Sequence, residues 1–83
     1  MEVTKAFEAA IDEFAEAMKA RMLEMSADGW TGWEHVTTHH HNGGMRLLRN
    51  AAQGVVKEDR ISLVDTANLA MMIWRNLPSE ERG

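Results

Sequence analysis

The stretch that most constrains this chain is Ile61 to Asn76, ISLVDTANLAMMIWRN. At helical spacing it is apolar on almost every face. Leu63, Ala67, Ala70, Trp74 and Leu77 line one side, and Ile61, Val64 and Met71 cover another. A helix apolar nearly all round has to be covered on all sides. Asp65 and Asn68 interrupt the run three positions apart, so they share one face. A buried carboxylate and a buried amide are costly unless something pairs with them. The partner is another side chain, a metal or a polar ligand, and this face is the first place to look for function.

One small domain is all that 83 residues allow. A chain of this size buries only roughly 60–65% of the surface its unfolded form exposes. It has no cysteine, so neither a disulfide nor a metal-bound thiolate supports the fold, which fits a reducing compartment. Its residues are nevertheless 45% hydrophobic. Small, apolar and unstapled, it is expected to share a core between subunits, as a homodimer or homotetramer. A net charge of −4 argues against long nucleic acid as a partner. The opening MEVTKAFEAAIDEF is acidic and amphipathic, unlike a signal peptide, and no apolar run approaches the roughly 20 residues of a membrane span. A soluble, cytoplasmic protein with no membrane partner is the expectation.

The periodicity is helical throughout, and the fold class read from it is all-α, a long first helix plus two shorter ones. The first helix is expected over 4–26, with Val3, Phe7, Ile11, Phe14, Met18, Met22 and Met25 as its apolar stripe and Gly29 ending it. Residues 27–43 form a loop rich in glycine, tryptophan and histidine, with a short helical turn starting near Thr37. Large aromatics mixed with histidines suit the wall of a pocket or interface better than a linker. The second helix is expected over 44–56, with Met45, Leu48, Ala52 and Val55 facing the core and Arg46, Arg49, Asn50 and Gln53 on the polar side. The third occupies 59–77, N-capped by Asp59 and stopped by Pro78. SEERG reads as a frayed polar tail. The methionines of the first and third helices read as packing between them.

The order of a long helix, a Gly-Trp loop, a second helix and then Asp-Thr-Ala-Asn-Leu-Ala-Met-Met-Ile at 65–73 resembles the small, phage-type members of the MazG-like nucleotide pyrophosphohydrolase family. Their last core helix reads Glu-x-x-Asp-Val-Ala-Asn-Phe-Ala-Met-Met-Ile. The likeness covers about 55 residues and is specific over the last dozen; Met18–Trp33 matches more loosely. It implies a MazG-like helical bundle completed by oligomerisation. It also implies a site where Glu-x-x-Glu and Glu-x-x-Asp pairs hold Mg²⁺ for hydrolysis of nucleoside triphosphates. This sequence departs from that pattern. Serine stands at 62 where the second pair has its Glu, and the first pair falls on Asn50 and Gln53. Only Asp65 keeps a carboxylate, and 43–57 contains no acidic residue. Weak Mg²⁺ binding through Asp65 is all that remains, and no resident cofactor or structural metal is expected.

Where carboxylates are missing, Arg46, Arg49, His39, His40 and His41 supply groups that can hold phosphate without a metal. The expected function is binding without turnover: an inactive MazG-like protein that takes up a nucleotide or cyclic nucleotide. In a phage-type protein its use would be sequestration, a sponge for a host defence signal. Arg46, Arg49 and the histidines would clamp phosphates. Asn50, Asp65 and Asn68 would read base or sugar edges, and Trp30 or Trp33 would stack. Each group has a plainer reading. Asp65 and Asn68 can be a hydrogen-bonded pair that orients a helix, and the tryptophans core or interface residues. The arginines can be a solvated face and the histidines a polar loop; His35 and His39 could hold zinc only if their segment were helical. Two other functions stay open. One is a divergent metal-dependent pyrophosphohydrolase recruiting Asp65 with Glu58, Asp59, Glu16 or Glu24. The other is a protein-binding inhibitor module, with Trp33 on a flat surface.

Overall fold

The computed structural model describes residues 2–78, with side chains for 4–78. The side chain of Val3 and the 79–83 tail lie outside the described residues. The chain is all-α: α1 spans Glu2–Ala27, α2 Gly43–Val56 and α3 Arg60–Arg75, with a 3-10 turn at Trp33–His35. The helical turn expected near Thr37 is therefore four residues earlier, where Gly32, at φ 89°, starts it. Among the described residues no helix is long and apolar enough to cross a membrane.

Glycine at 29 ends α1 for a conformational reason. Its φ of 94° turns the chain back, so the Trp30 N–H donates to Met25 O at 3.0 Å and the Gly29 N–H to Ser26 O at 2.9 Å. That turn folds Trp30 under α1. Asp59 caps α3, its Oδ1 accepting from the Ile61 N–H at 3.1 Å and its Oδ2 from the Ser62 hydroxyl at 2.8 Å. Helix α3 ends at Arg75, two residues before the expected stop, because Asn76 already leaves the helical path.

Helices α2 and α3 form a close hairpin, and α1 crosses α3. Glycine makes the hairpin close: a Cβ at Gly54 would lie 2.7 Å from Leu63 Cδ2. Packing is centred on Val36, Leu69 and Met72, with Met22, Trp30, Leu47, Met71 and Ile73 around them. The methionine packing expected between α1 and α3 is thus present through Met22, Met71 and Met72.

Several faces are oriented otherwise than their periodicity suggested. Helix α2 turns Leu47, Asn50, Ala51 and Gly54 inward, while Met45, Leu48, Ala52 and Val55 face solvent. A 3.6-residue period defines an apolar stripe but not its direction, and here close approach through Gly54 outweighs side-chain size. On α3 the buried residues are Ser62, Asn68, Leu69 and Met72, and Leu63, Ala70 and Trp74 are exposed, as is Leu77 just beyond the helix. Trp74 does not belong to the core of the chain. On α1 the stripe is half-covered at Met18, Met22 and Met25 and bare at Phe7, Ile11 and Phe14.

Candidate functional site

Asp65 and Asn68 leave α3 on one face, as their spacing predicts; packing turns that face toward α1, where they meet different partners. Arg21 of α1 takes Asp65 in a fork, Nε donating to Oδ1 at 2.8 Å and Nη2 to Oδ2 at 3.3 Å. The same guanidinium donates through Nη1 to Glu24 Oε1 at 3.0 Å. These carboxylates, Asp65 foremost and then Glu24, hold Arg21 more firmly protonated than an ordinary arginine. Arg21 stands among Met18, Met22 and Met25 in the sequence. Lys19 stands in the same run, so nothing local marks which cation takes Asp65.

Asn68 is 2% exposed. Its Nδ2 donates to Met18 O of α1 at 3.2 Å, which ties the two helices. Its Oδ1 is buried and has no hydrogen-bond partner. A buried carbonyl oxygen left unpaired costs about 1–3 kcal/mol. The plain reading therefore accounts for half of this amide, and the acceptor half stays open.

Asn68 also stands where two cavities meet. One is an open groove of about 760 Å³ between α1 and the loop, lined among others by Met18, Met22, Trp30, Trp33 and Met71. The other is a small polar cavity of about 40 Å³, whose lining includes Arg46, Asn50 and Asp65. A third space, about 410 Å³, adjoins the groove at Glu34 and is lined by His35, Thr37, His40, His41 and Asn76. Trp30, Trp33, Arg46, Asn50, Asp65, Asn68, His40 and His41 thus line three separate spaces that share Asn68 and Glu34 as common walls. His39 is exposed and lines none of the three, and Arg49 lies on the outer face of α2.

Several of these groups are positioned by contacts of their own. The Arg46 guanidinium carbon sits 5.9 Å from the centre of the Trp30 ring, within cation–π range. Asn50 donates from Nδ2 to Arg46 O at 2.9 Å, so its amide nitrogen serves its own helix. Thr37 Oγ1 accepts from the His40 N–H at 3.0 Å and lies 3.0 Å from His40 Nδ1. Asn76 donates from Nδ2 to Trp33 O at 3.2 Å and Val36 O at 2.8 Å, which secures the tryptophan turn to the end of α3. Nothing in the sequence marked Asn76, because its partners lie about 40 positions upstream.

Among the described residues no group of three or more His, Asp or Glu side chains is placed to hold a metal ion. Of the carboxylates weighed as partners for Asp65, Glu24 binds the same arginine, Asp59 caps α3, and Glu16 pairs with Lys19 on the exposed side of α1. Ser62, where the family pattern places a glutamate, is buried against Asp59. Comparison of the chain with protein-family models, curated proteins and solved structures finds no match.

Proposed function

We propose that this protein binds a nucleotide in the groove between α1 and the tryptophan loop, and holds it without hydrolysing it, on a MazG-like helical scaffold. The observation that carries this reading is Asn68, which lines both the aromatic groove and the polar cavity and whose buried Oδ1 has no hydrogen-bond partner. Trp30, Trp33, Met22 and Met71 offer a flat, polarisable surface for a base. Asn68 Nδ2 gives one of its two N–H groups to Met18, while Oδ1 accepts nothing within the chain, and a base N–H would supply the missing donor. Arg46, held over Trp30, lies on the polar side of the same asparagine, where it meets phosphate. His40 and His41 extend the polar surface at the far end of the groove.

The Arg21–Asp65 fork favours binding over turnover. A carboxylate engaged on both oxygens must give up that pair before it can hold a cation, and Mg²⁺ needs several such ligands at once. Trp33 lines the open groove, so a small ligand lying there can rest against its ring. Binding without turnover makes the protein a nucleotide sponge. If phage-encoded, it acts in the host cytoplasm on a defence signal.

The test is retention. The protein is equilibrated with linear, cyclic and modified nucleotides in Mg²⁺, freed of unbound ligand, and heated to release what it kept. At least one nucleotide is expected back, chemically intact. Retention of none at about 100 μM, or release of pyrophosphate that Asp65→Ala abolishes, overturns the reading.

A further inference from the structure

We infer that the N-terminal half of α1 of one copy lies along the outer face of α2 of a second copy, and that the two copies exchange these contacts about a two-fold axis. The inference is independent of what the groove binds.

Helix α1 is 26 residues long and α3 is 16, about 39 Å against 24 Å. The stripe that packs through Met18, Met22 and Met25 therefore continues past its own partners. Phe7, Ile11 and Phe14 carry it on, 66%, 64% and 42% exposed, and every residue from Thr4 to Phe14 is exposed. A row of large apolar side chains at helical spacing, continuous with a packed interface and bare in the single chain, is the surface of a missing neighbour.

The outer face of α2 has the matching form. Met45, Leu48, Ala52, Val55 and Val56 share one side of that helix, with Leu48 65% exposed.

Charge selects which face meets which. Residues 4–16 carry Glu8, Asp12, Glu13 and Glu16 against Lys5 alone, whereas α2 carries Arg46 and Arg49 and no acidic residue. Two α1 arms laid side by side would set like charges together. An arm on α2 instead brings Arg49, at the edge of the outer apolar face, toward the acidic arm, whose Glu8 flanks the apolar stripe. The reciprocal arrangement buries both arms and closes, whereas a one-way contact would propagate into filaments.

The test is mass in solution at micromolar concentration, with helicity followed by circular dichroism. The unaltered chain is expected at twice its 9.4 kDa mass or a higher even multiple. Glu8→Lys with Asp12→Lys makes the arm repel α2, and Arg49→Glu makes α2 repel the arm. Each variant alone is expected to halve in mass while staying helical. Mixed together they are expected to pair, because each arm then faces an α2 of opposite sign. The proposal is overturned by an unaltered chain that runs as a monomer. Single variants that remain dimeric overturn it too, as does a mixture that fails to pair.

Discussion

Arg21 of α1 holds both carboxylate oxygens of Asp65 of α3 across 44 positions of sequence, at 2.8 and 3.3 Å. This fork is the main polar tie between the first helix and the hairpin, and it is only partly covered: the Arg21 and Asp65 side chains are 33% and 21% exposed. Arg21→Ala leaves a half-buried carboxylate unpaired. It is expected to cost about 1–2 kcal/mol, below the value for a fully buried pair because solvent screens this one. Urea unfolding of Arg21→Ala, Asp65→Ala and the double variant measures it, and the coupling between the two sites should be non-zero.

Gly54→Val is expected to destabilise the hairpin by about 1–3 kcal/mol. The new side chain meets Leu63, whose Cδ2 lies 2.7 Å and backbone N 3.2 Å from the position of the added Cβ. Leu63 can rotate its side chain toward solvent but cannot move its backbone alone, so α2 and α3 must part. Unfolding by urea at constant pH reads the loss, and a neutral or stabilised variant would contradict the close approach.

Asp59 makes the start of α3 sensitive to acid. The Ser62 hydroxyl, ahead of the Ile61 N–H, holds the Asp59 carboxyl below its ordinary range. The folded state thus favours the ionised form. The stabilisation is fully present above the ordinary carboxylate value of about 3.9 and is lost as pH falls through the lower folded value. Asp59→Asn keeps a capping oxygen and removes this part of the titration. Urea midpoints of the two proteins should converge as pH drops from about 5 to about 3; parallel curves would contradict the cap.

Trp33→Ala is expected to weaken nucleotide binding by about 1–3 kcal/mol, the range for loss of one aromatic stacking surface. Its effect on folding should be small, because Trp33 is 37% exposed and Asn76 grips its backbone oxygen rather than its ring. Calorimetry of binding and thermal melting of the free protein separate the two. Loss of melting temperature without loss of affinity would make Trp33 a structural residue only.

Asn76→Ala releases the Trp33–Val36 turn from α3. Removing two hydrogen bonds, one of them part-buried, is expected to cost about 1–2 kcal/mol of stability. Affinity should fall as well, because the groove wall loses its anchor. Hydrogen exchange that speeds up across 33–36 and nowhere in α2 would identify the cause.

Three helices, their approximate ends and the polar face of α3 were legible in the sequence. The information for each lies within a turn or two of chain. A glycine able to take positive φ ends α1, an aspartate two residues before an amide caps α3, and a three-residue step puts Asp65 and Asn68 on one face. Of the ten residues the sequence suggested for a site, all but His39 and Arg49 line one of three neighbouring spaces, a placement that follows from the packing of the helices.

What tertiary structure alone decided is rotation and partnership. Local periodicity draws a stripe on a helix but does not say which way the helix turns it, and the close approach at Gly54 turned the small face of α2 inward and placed Arg46 and Arg49 on different sides. In the same way no local signal could join Asp65 to an arginine 44 residues away, or show that Asn68 would spend its amide nitrogen on Met18 and keep its oxygen unpaired. Hydrogen bonds between helices depend on how each is rotated about its own axis, and that rotation is settled only when all three are packed together.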